Sequence, residues 1–268
     1  MTVRLTLALA LGATAAAAQS LEQRVAAAPD GEVRFAYAPR DGVCGNGRNV
    51  IFWDCHSGDC RRSMRHDYSG GEGKDSRDCC EPGPVRVTLA VRRGAVTRVR
   101  VAVGGAARQD AGRLTDLGTV AARDAARYLL GLARQPQAGE DAIFPATLAD
   151  SVVVWPDLVR LARDSGLPAD TRRQAVFWLG QAAEAVATRE LDALTGDDDI
   201  DRDVKEAAVF ALSQRPRDEG VPVLLRVARD NRDPAVRRKA IFWLAQLDDP
   251  RAVALFEELL THSSHPNR

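Results

Sequence analysis

Three heptapeptides, at 175–181 (AVFWLGQ), 208–214 (AVFALSQ) and 240–246 (AIFWLAQ), align without gaps at spacings of 33 and 32 residues. A recurrence of that length leaves few folds open. One copy is too small to bury its own apolar face, so copies must stack and share a core between neighbours. Each copy follows a turn and a charged first helical turn: Asp170-Thr171-Arg172-Arg173, Asp203-Val204-Lys205-Glu206 and Pro234-Ala235-Val236-Arg237-Arg238. Each precedes a second amphipathic stretch, clearest at 223–228 and 252–260. The unit is therefore a helical hairpin. A degenerate copy stands ahead of these, where Ala126, Tyr128, Leu130 and Gly131 match the pattern 49 residues before Ala175. The excess over one period predicts an irregular insertion near 135–150, ahead of a partner helix at 155–164.

The string DPAVRRKAIFWLAQLDDPRAVALFEELL, residues 233–260, resembles HEAT-like repeats of the phycobilisome-lyase type, in the variant found in exported bacterial proteins. The resemblance spans about residues 119–261. It implies an α-solenoid used as an interaction scaffold and no catalytic role. Within that family, the di-iron hydroxylase relies on repeated His-Glu pairs. This chain has only His56, His66, His262 and His265, none followed by Glu, so that chemistry is excluded.

Residues 1–18, MTVRLTLALALGATAAAA, combine one Arg, an apolar run and small residues at Ala16 and Ala18. This pattern is that of a secretory signal peptide, with cleavage expected before Gln19. The apolar run is shorter than the ~20 residues a spanning helix needs, and no later segment is apolar enough, so no membrane span is expected after cleavage. The localisation expected is periplasmic or secreted. All five cysteines, Cys44, Cys55, Cys60, Cys79 and Cys80, fall in the N-terminal half. In an oxidising compartment they read as two disulfides and one spare thiol, stapling a small subdomain. A Cys79–Cys80 bridge is disfavoured by geometry, and the remaining connectivities stay open.

Residues 19–32 read as a tether or frayed helix, and 33–38 and 49–55 as strands. Residues 56–83 are Gly-rich and polar and cannot build a core. Val85, Val87, Leu89 and Val91 alternate with polar or small residues, Arg93-Gly94 marks a turn, and Val99, Val101 and Val103 alternate again: a hairpin with one apolar face. Its other face carries Arg86, Arg92, Arg98 and Arg100. That face would suit an anionic partner, but it reads first as a solvated face that discourages edge pairing. With 37 basic and 37 acidic residues, no bulk attraction to nucleic acid is expected.

Cys55, Cys60, His66 and Cys79 have zinc-ligand spacing, but the same cysteines bridge more readily after export. The run Asp197-Asp198-Asp199-Ile200-Asp201-Arg202-Asp203 fails the calcium-loop pattern, because Val204 and Phe210 occupy the Gly and Glu positions. Its aspartates are expected to cap the helix that follows. Phe177, Phe210 and Phe242 are expected in the core, with Trp178 and Trp243 somewhat wetter at one ring edge. Gln181, Gln214 and Gln246 are expected to bond the following turn.

The fold class expected is mostly α: a short α-solenoid of HEAT-like hairpins behind a small antiparallel β, disulfide-bridged subdomain. The boundaries expected are signal peptide 1–18, tether 19–32, cysteine-rich β subdomain 33–105 and solenoid 106–262. An exported, non-enzymatic scaffold for an unidentified protein partner is the leading expectation, with no cofactor. Its contact surface is expected around Arg160, Arg163, Arg226, Arg229, Glu257 and Glu258, beside Glu190. The alternative is a thiol- or zinc-dependent enzyme in the cysteine-rich half, with the solenoid as docking arm. The degenerate first unit needs a cover, which the 84–104 hairpin or the 135–150 insertion should supply; at the other end the polar residues 261–268 should cap the array.

Overall fold

The computed structural model describes residues 19–47, 49–56, 59–67, 81–105 and 113–263, without the side chains of 49, 51–67, 262 and 263. The signal-peptide reading and most of the C-terminal cap reading lie outside these residues. The chain forms two compact units, Met1–Val152 and Val153–Arg268.

The first unit opens with α1 (Leu21–Ala26), where Ser20 and Gln23 form a reciprocal capping box that satisfies two otherwise orphaned N–H groups. Strands β1 (Gly31–Tyr37), β2 (Val43–Gly45), β3 (Asn49–His56), β4 (Asp59–Asp67), β5 (Val85–Arg92), β6 (Ala95–Val103) and β7 (Leu114–Thr119) follow. They make a four-stranded sheet, β6-β5-β1-β7, and a three-stranded sheet, β2-β3-β4. The expected hairpin is present as β5–β6. Arg93 and Gly94 both have positive φ, at 53° and 74°, as a two-residue hairpin turn matched to strand twist requires. The fully antiparallel expectation needs correction: β7 runs parallel to β1, so the larger sheet is mixed. Such pairing needs a crossover connection, and no local pattern in LTDLGT announces it. The segment after residue 56, expected to be unable to build a core, includes β4, paired antiparallel with β3.

Val33, Phe35 and Tyr37 on β1 and Val85, Val87 and Leu89 on β5 are fully buried on one face. Helices α2 (Ala122–Leu132) and α3 (Gly139–Ala146) complete the unit. Tyr128 meets Phe35 edge to face at 6.1 Å, and the buried Tyr37 hydroxyl donates to the Pro145 carbonyl at 2.5 Å. Helix α3 occupies the stretch expected as an irregular insertion. Ala142, Ile143, Phe144, Ala146 and Leu148 there have no exposed surface, and burial of each larger side chain contributes about 1.5–3 kcal/mol. That is core, not loop.

In the second unit, α4 (Trp155–Arg163) precedes three hairpins: α5 (Ala169–Gly180) with α6 (Val186–Gly196), α7 (Arg202–Ser213) with α8 (Arg217–Asp230), and α9 (Pro234–Ala245) with α10 (Pro250–Ser263). Ala175, Trp178 and Leu179 share one buried face of α5, the i, i+3, i+4 stripe of a helix against its neighbours. Successive hairpins approach closely enough that a methyl added at Gly180 would lie 2.8 Å from the Ala211 methyl. No described helix is long and apolar enough to cross a membrane.

The aromatic ladder differs from expectation. Trp178 is buried at 3% exposure, while Phe242 is 53% exposed and Phe177 and Phe210 are half-buried. At 100° per residue the Phe positions fall off the stripe that Ala, Trp and Leu occupy. The glutamines Gln181, Gln214 and Gln246 are the C-cap residues of α5, α7 and α9, and the Gln214 side chain donates to Ser213 Oγ at 3.1 Å.

Candidate functional site

The repeats are joined by a ladder of ion pairs, each spanning about one period. Arg163 meets Asp197 at 2.5 Å, Arg202 meets Asp233 at 2.9 Å, Arg229 meets Glu258 at 2.8 Å and Arg232 meets Asp198 at 3.2 Å. Arg172 and Asp201 form another pair, as do Arg226 and Asp192. Most of the Asp197–Asp203 run is thereby accounted for, and in a different way from the caps expected. Asp201, the N-cap of α7, makes no side-chain capping bond because its carboxylate faces Arg172, whose side chain is 7% exposed. A charged partner one repeat away outcompetes the local N–H. Asp233 does both, accepting from the Ala235 N–H at 2.8 Å and pairing with Arg202. These two contacts, Arg202 first, hold its carboxyl below the usual range.

Four of the six expected contact residues sit on this ladder. Arg160 pairs with Asp157 at 2.5 Å within α4, and Arg163, Arg226, Arg229 and Glu258 pair between repeats as above. Glu257 is exposed on α10. Arg226 and Asp192 also line a cleft of about 780 Å³ formed by α6, α8 and the turn after it, together with Asp198, Lys205, Asp230 and Arg232. Asn231 shapes its floor: its amide donates to the Thr195 carbonyl at 2.8 Å and its carbonyl oxygen accepts from the Asp233 N–H at 3.0 Å. Both signs of charge line the cleft, and its ion pairs are water-exposed.

Sequence reasoning missed Arg215. Its side chain is 4% exposed and donates to Thr188 Oγ1 at 2.9 Å, to the carbonyls of Gly180, Ala182 and Glu184, and to Glu219 at 2.8 Å. It ties the α5–α6 loop to the start of α8. The available signal was a charged residue immediately after a repeat motif, in SQRP. Glu219 also accepts from the Thr188 hydroxyl at 2.5 Å, and this bond, then Arg215, lowers its carboxyl.

In the first unit, a cleft of about 660 Å³ is lined in part by Leu21, Arg24, Val96 and Tyr128. Arg24 is committed to the Leu117 carbonyl at 2.6 Å. Burial, with Glu22 nearby, raises the Tyr128 phenol to about 12. On the outer sheet face, Arg100 pairs with Glu32 and Arg34 with Asp116, and Arg86 donates to the carbonyls of Gly104 and Gly105. Of the expected arginine face, Arg100 thereby gains an anionic partner, while Arg92 and Arg98 are exposed.

Cys44, on β2, is not a free thiol. Cys55 and Cys60 are opposite one another in the β3–β4 register; their side chains, like those of Cys79, Cys80 and His66, lie outside the described residues. Among the described residues, no group of three or more His, Cys, Asp or Glu could hold a metal ion.

Residues 191–268 match the HEAT repeats family, which agrees with the helical hairpins of the second unit and supports a HEAT-like repeat protein. Proteins of this kind commonly act as protein-interaction scaffolds and are generally non-catalytic. No curated protein matches the chain.

Proposed function

We propose that this chain is an exported scaffold that binds another protein through the cleft between α6 and α8. The observation that carries the reading is the lining of opposite charges held in exposed pairs. Such pairs contribute about 0.2–1 kcal/mol each to stability, so a partner's side chains can exchange with them at little cost to the array. Complementary charge then supplies encounter rate and specificity. The HEAT repeats match supports the scaffold class. The apolar run and small residues of the first 18 positions support export, and with it bridging among the five cysteines, Cys44 included.

Two measurements test this. Intact mass of the protein purified from the envelope or medium should begin at Gln19, with two bridges; a full-length, fully reduced species refutes export. Affinity capture should retain a protein on the wild type and lose it on Lys205→Glu/Arg226→Glu, with helicity unchanged. Identical capture by both proteins refutes the cleft.

A further inference from the structure

We infer that the outer face of the four-stranded sheet in the first unit is a docking surface for an extended, acidic segment of a protein. Outward residues on β1, β5 and β6 alternate with buried ones, and the register sets them in rows. Thr88 stands directly between Arg100 on β6 and Arg34 on β1. Arg86, the previous outward position on β5, is therefore diagonal to both arginines, at about 7–8 Å between backbones. In the next row Ala90 lies between Arg98 and Glu32, and Arg92 ends the β5 series. The hairpin's four arginines thus gain a fifth, Arg34, from a strand distant in sequence. On the outward positions of these strands and β7 the acids are Glu32 and Asp116, which pair with Arg100 and Arg34. Positive charge remains in excess. Arg92 and Arg98 are exposed and make no ion pair among the described residues. Arg86 spends its bonds on the carbonyls of Gly104 and Gly105, which leave its charge uncancelled, and burial followed by the nearby Arg34 lowers its guanidinium pKa.

The chemistry of the face selects the occupant. Between the arginines stand Ala36, Thr88, Ala90 and Ala102, none of them buried. They supply neither the aromatic platforms on which single-stranded nucleic acid stacks nor the large apolar side chains that seat a protein in a bilayer surface. Guanidinium forks take carboxylates through two parallel bonds. Arg98 and Arg100 hold successive outward positions on β6, about 6–7 Å apart, which is the interval between every second residue of an extended chain. A segment with acids at alternate positions therefore matches the row, and complementary charge sets its encounter rate and register. The face is separate from the cleft between α6 and α8 and shares no residue with it.

The test is fluorescence anisotropy of a labelled ten-residue peptide alternating Glu and Ser, titrated with the whole protein at low salt. Binding is expected, with none for the Gln-Ser counterpart, and should weaken progressively as salt is added. Arg92→Glu/Arg98→Glu should weaken it about tenfold or more with an unchanged melting curve, and Arg92→Gln/Arg98→Gln should weaken it less. An equal charge change on exposed arginines of α6 and α9, Arg189→Glu/Arg238→Glu, should leave it within about twofold. Lack of peptide binding, equal loss on the Arg189/Arg238 pair, or tighter binding to dextran sulfate or phosphatidylglycerol vesicles than to the peptide would each overturn the inference. Lys205→Glu/Arg226→Glu should leave peptide binding in place, so this proposal and the cleft fail separately.

Discussion

Replacing Arg215 with Met retains most of the buried stem and removes the guanidinium. The carbonyls of Gly180, Ala182 and Glu184 lose their shared donor, and Glu219 loses its cation. Removing one member of a buried ion pair costs about 3–5 kcal/mol. Glu219 is 27% exposed and recovers some hydration, which moves the expectation to the lower end, about 3 kcal/mol. A unit of this size loses about 4 °C in Tm per kcal/mol, so the transition of the repeats should fall by about 12 °C in far-UV circular dichroism. Amide exchange should accelerate first over residues 181–196, because repeat arrays open locally. The pH dependence carries an independent sign. Glu219 has a lowered folded pKa, so its contribution is present above the unfolded value and is lost as pH falls through the folded one. Without Arg215 the folded pKa rises toward the unfolded value, and the acid limb should move up in pH. Adding Glu219→Gln to Arg215→Met should cost less than the two single changes combined. A Tm within about 2 °C of wild type, or strict additivity with Glu219→Gln, would refute the clasp.

Asp249 accepts from the Arg251 side chain and N–H, and its pKa is lowered to about 2, first by the side-chain bond to Arg251. Its contribution should hold above about pH 4 and fade toward pH 2, and Asp249→Asn should flatten that limb in acid titrations of helicity. A methyl at Gly220 would come within 2.3 Å of the Leu212 carbonyl, so Gly220→Ala should force α8 away from α7 and cost about 1–3 kcal/mol in urea unfolding; an unchanged midpoint contradicts that packing. Tyr37→Phe strands the buried Pro145 carbonyl and should cost the first unit about 1–3 kcal/mol by the same assay. In an alkaline absorbance titration, Tyr128 should ionise near 12 and Tyr37 only on unfolding, because burial raises both.

The repeat period was readable because it is a local property. Ala175, Leu179, Ala208, Leu212, Ala240 and Leu244 recur at fixed offsets, and all are buried. The β5–β6 hairpin was equally legible, since alternation and a turn residue tolerant of positive φ are written within a few positions. Long-range pairings leave no such trace. Strand β7 gains its place from β1, 82 residues earlier at Arg34–Asp116. Helix α3 looked like an insertion because its burial comes from the sheet and α2, not from any periodicity of its own. The charged residues show the same division. The sequence by itself determined that arginines and aspartates would flank each repeat. Only the tertiary structure decided that Asp201 faces Arg172 instead of capping its own helix, that Arg215 gathers three loop carbonyls, and that Phe242 is left in solvent. A side chain's partner across one helical turn is set by the backbone's period, but its partner across a repeat depends on how two helices are packed.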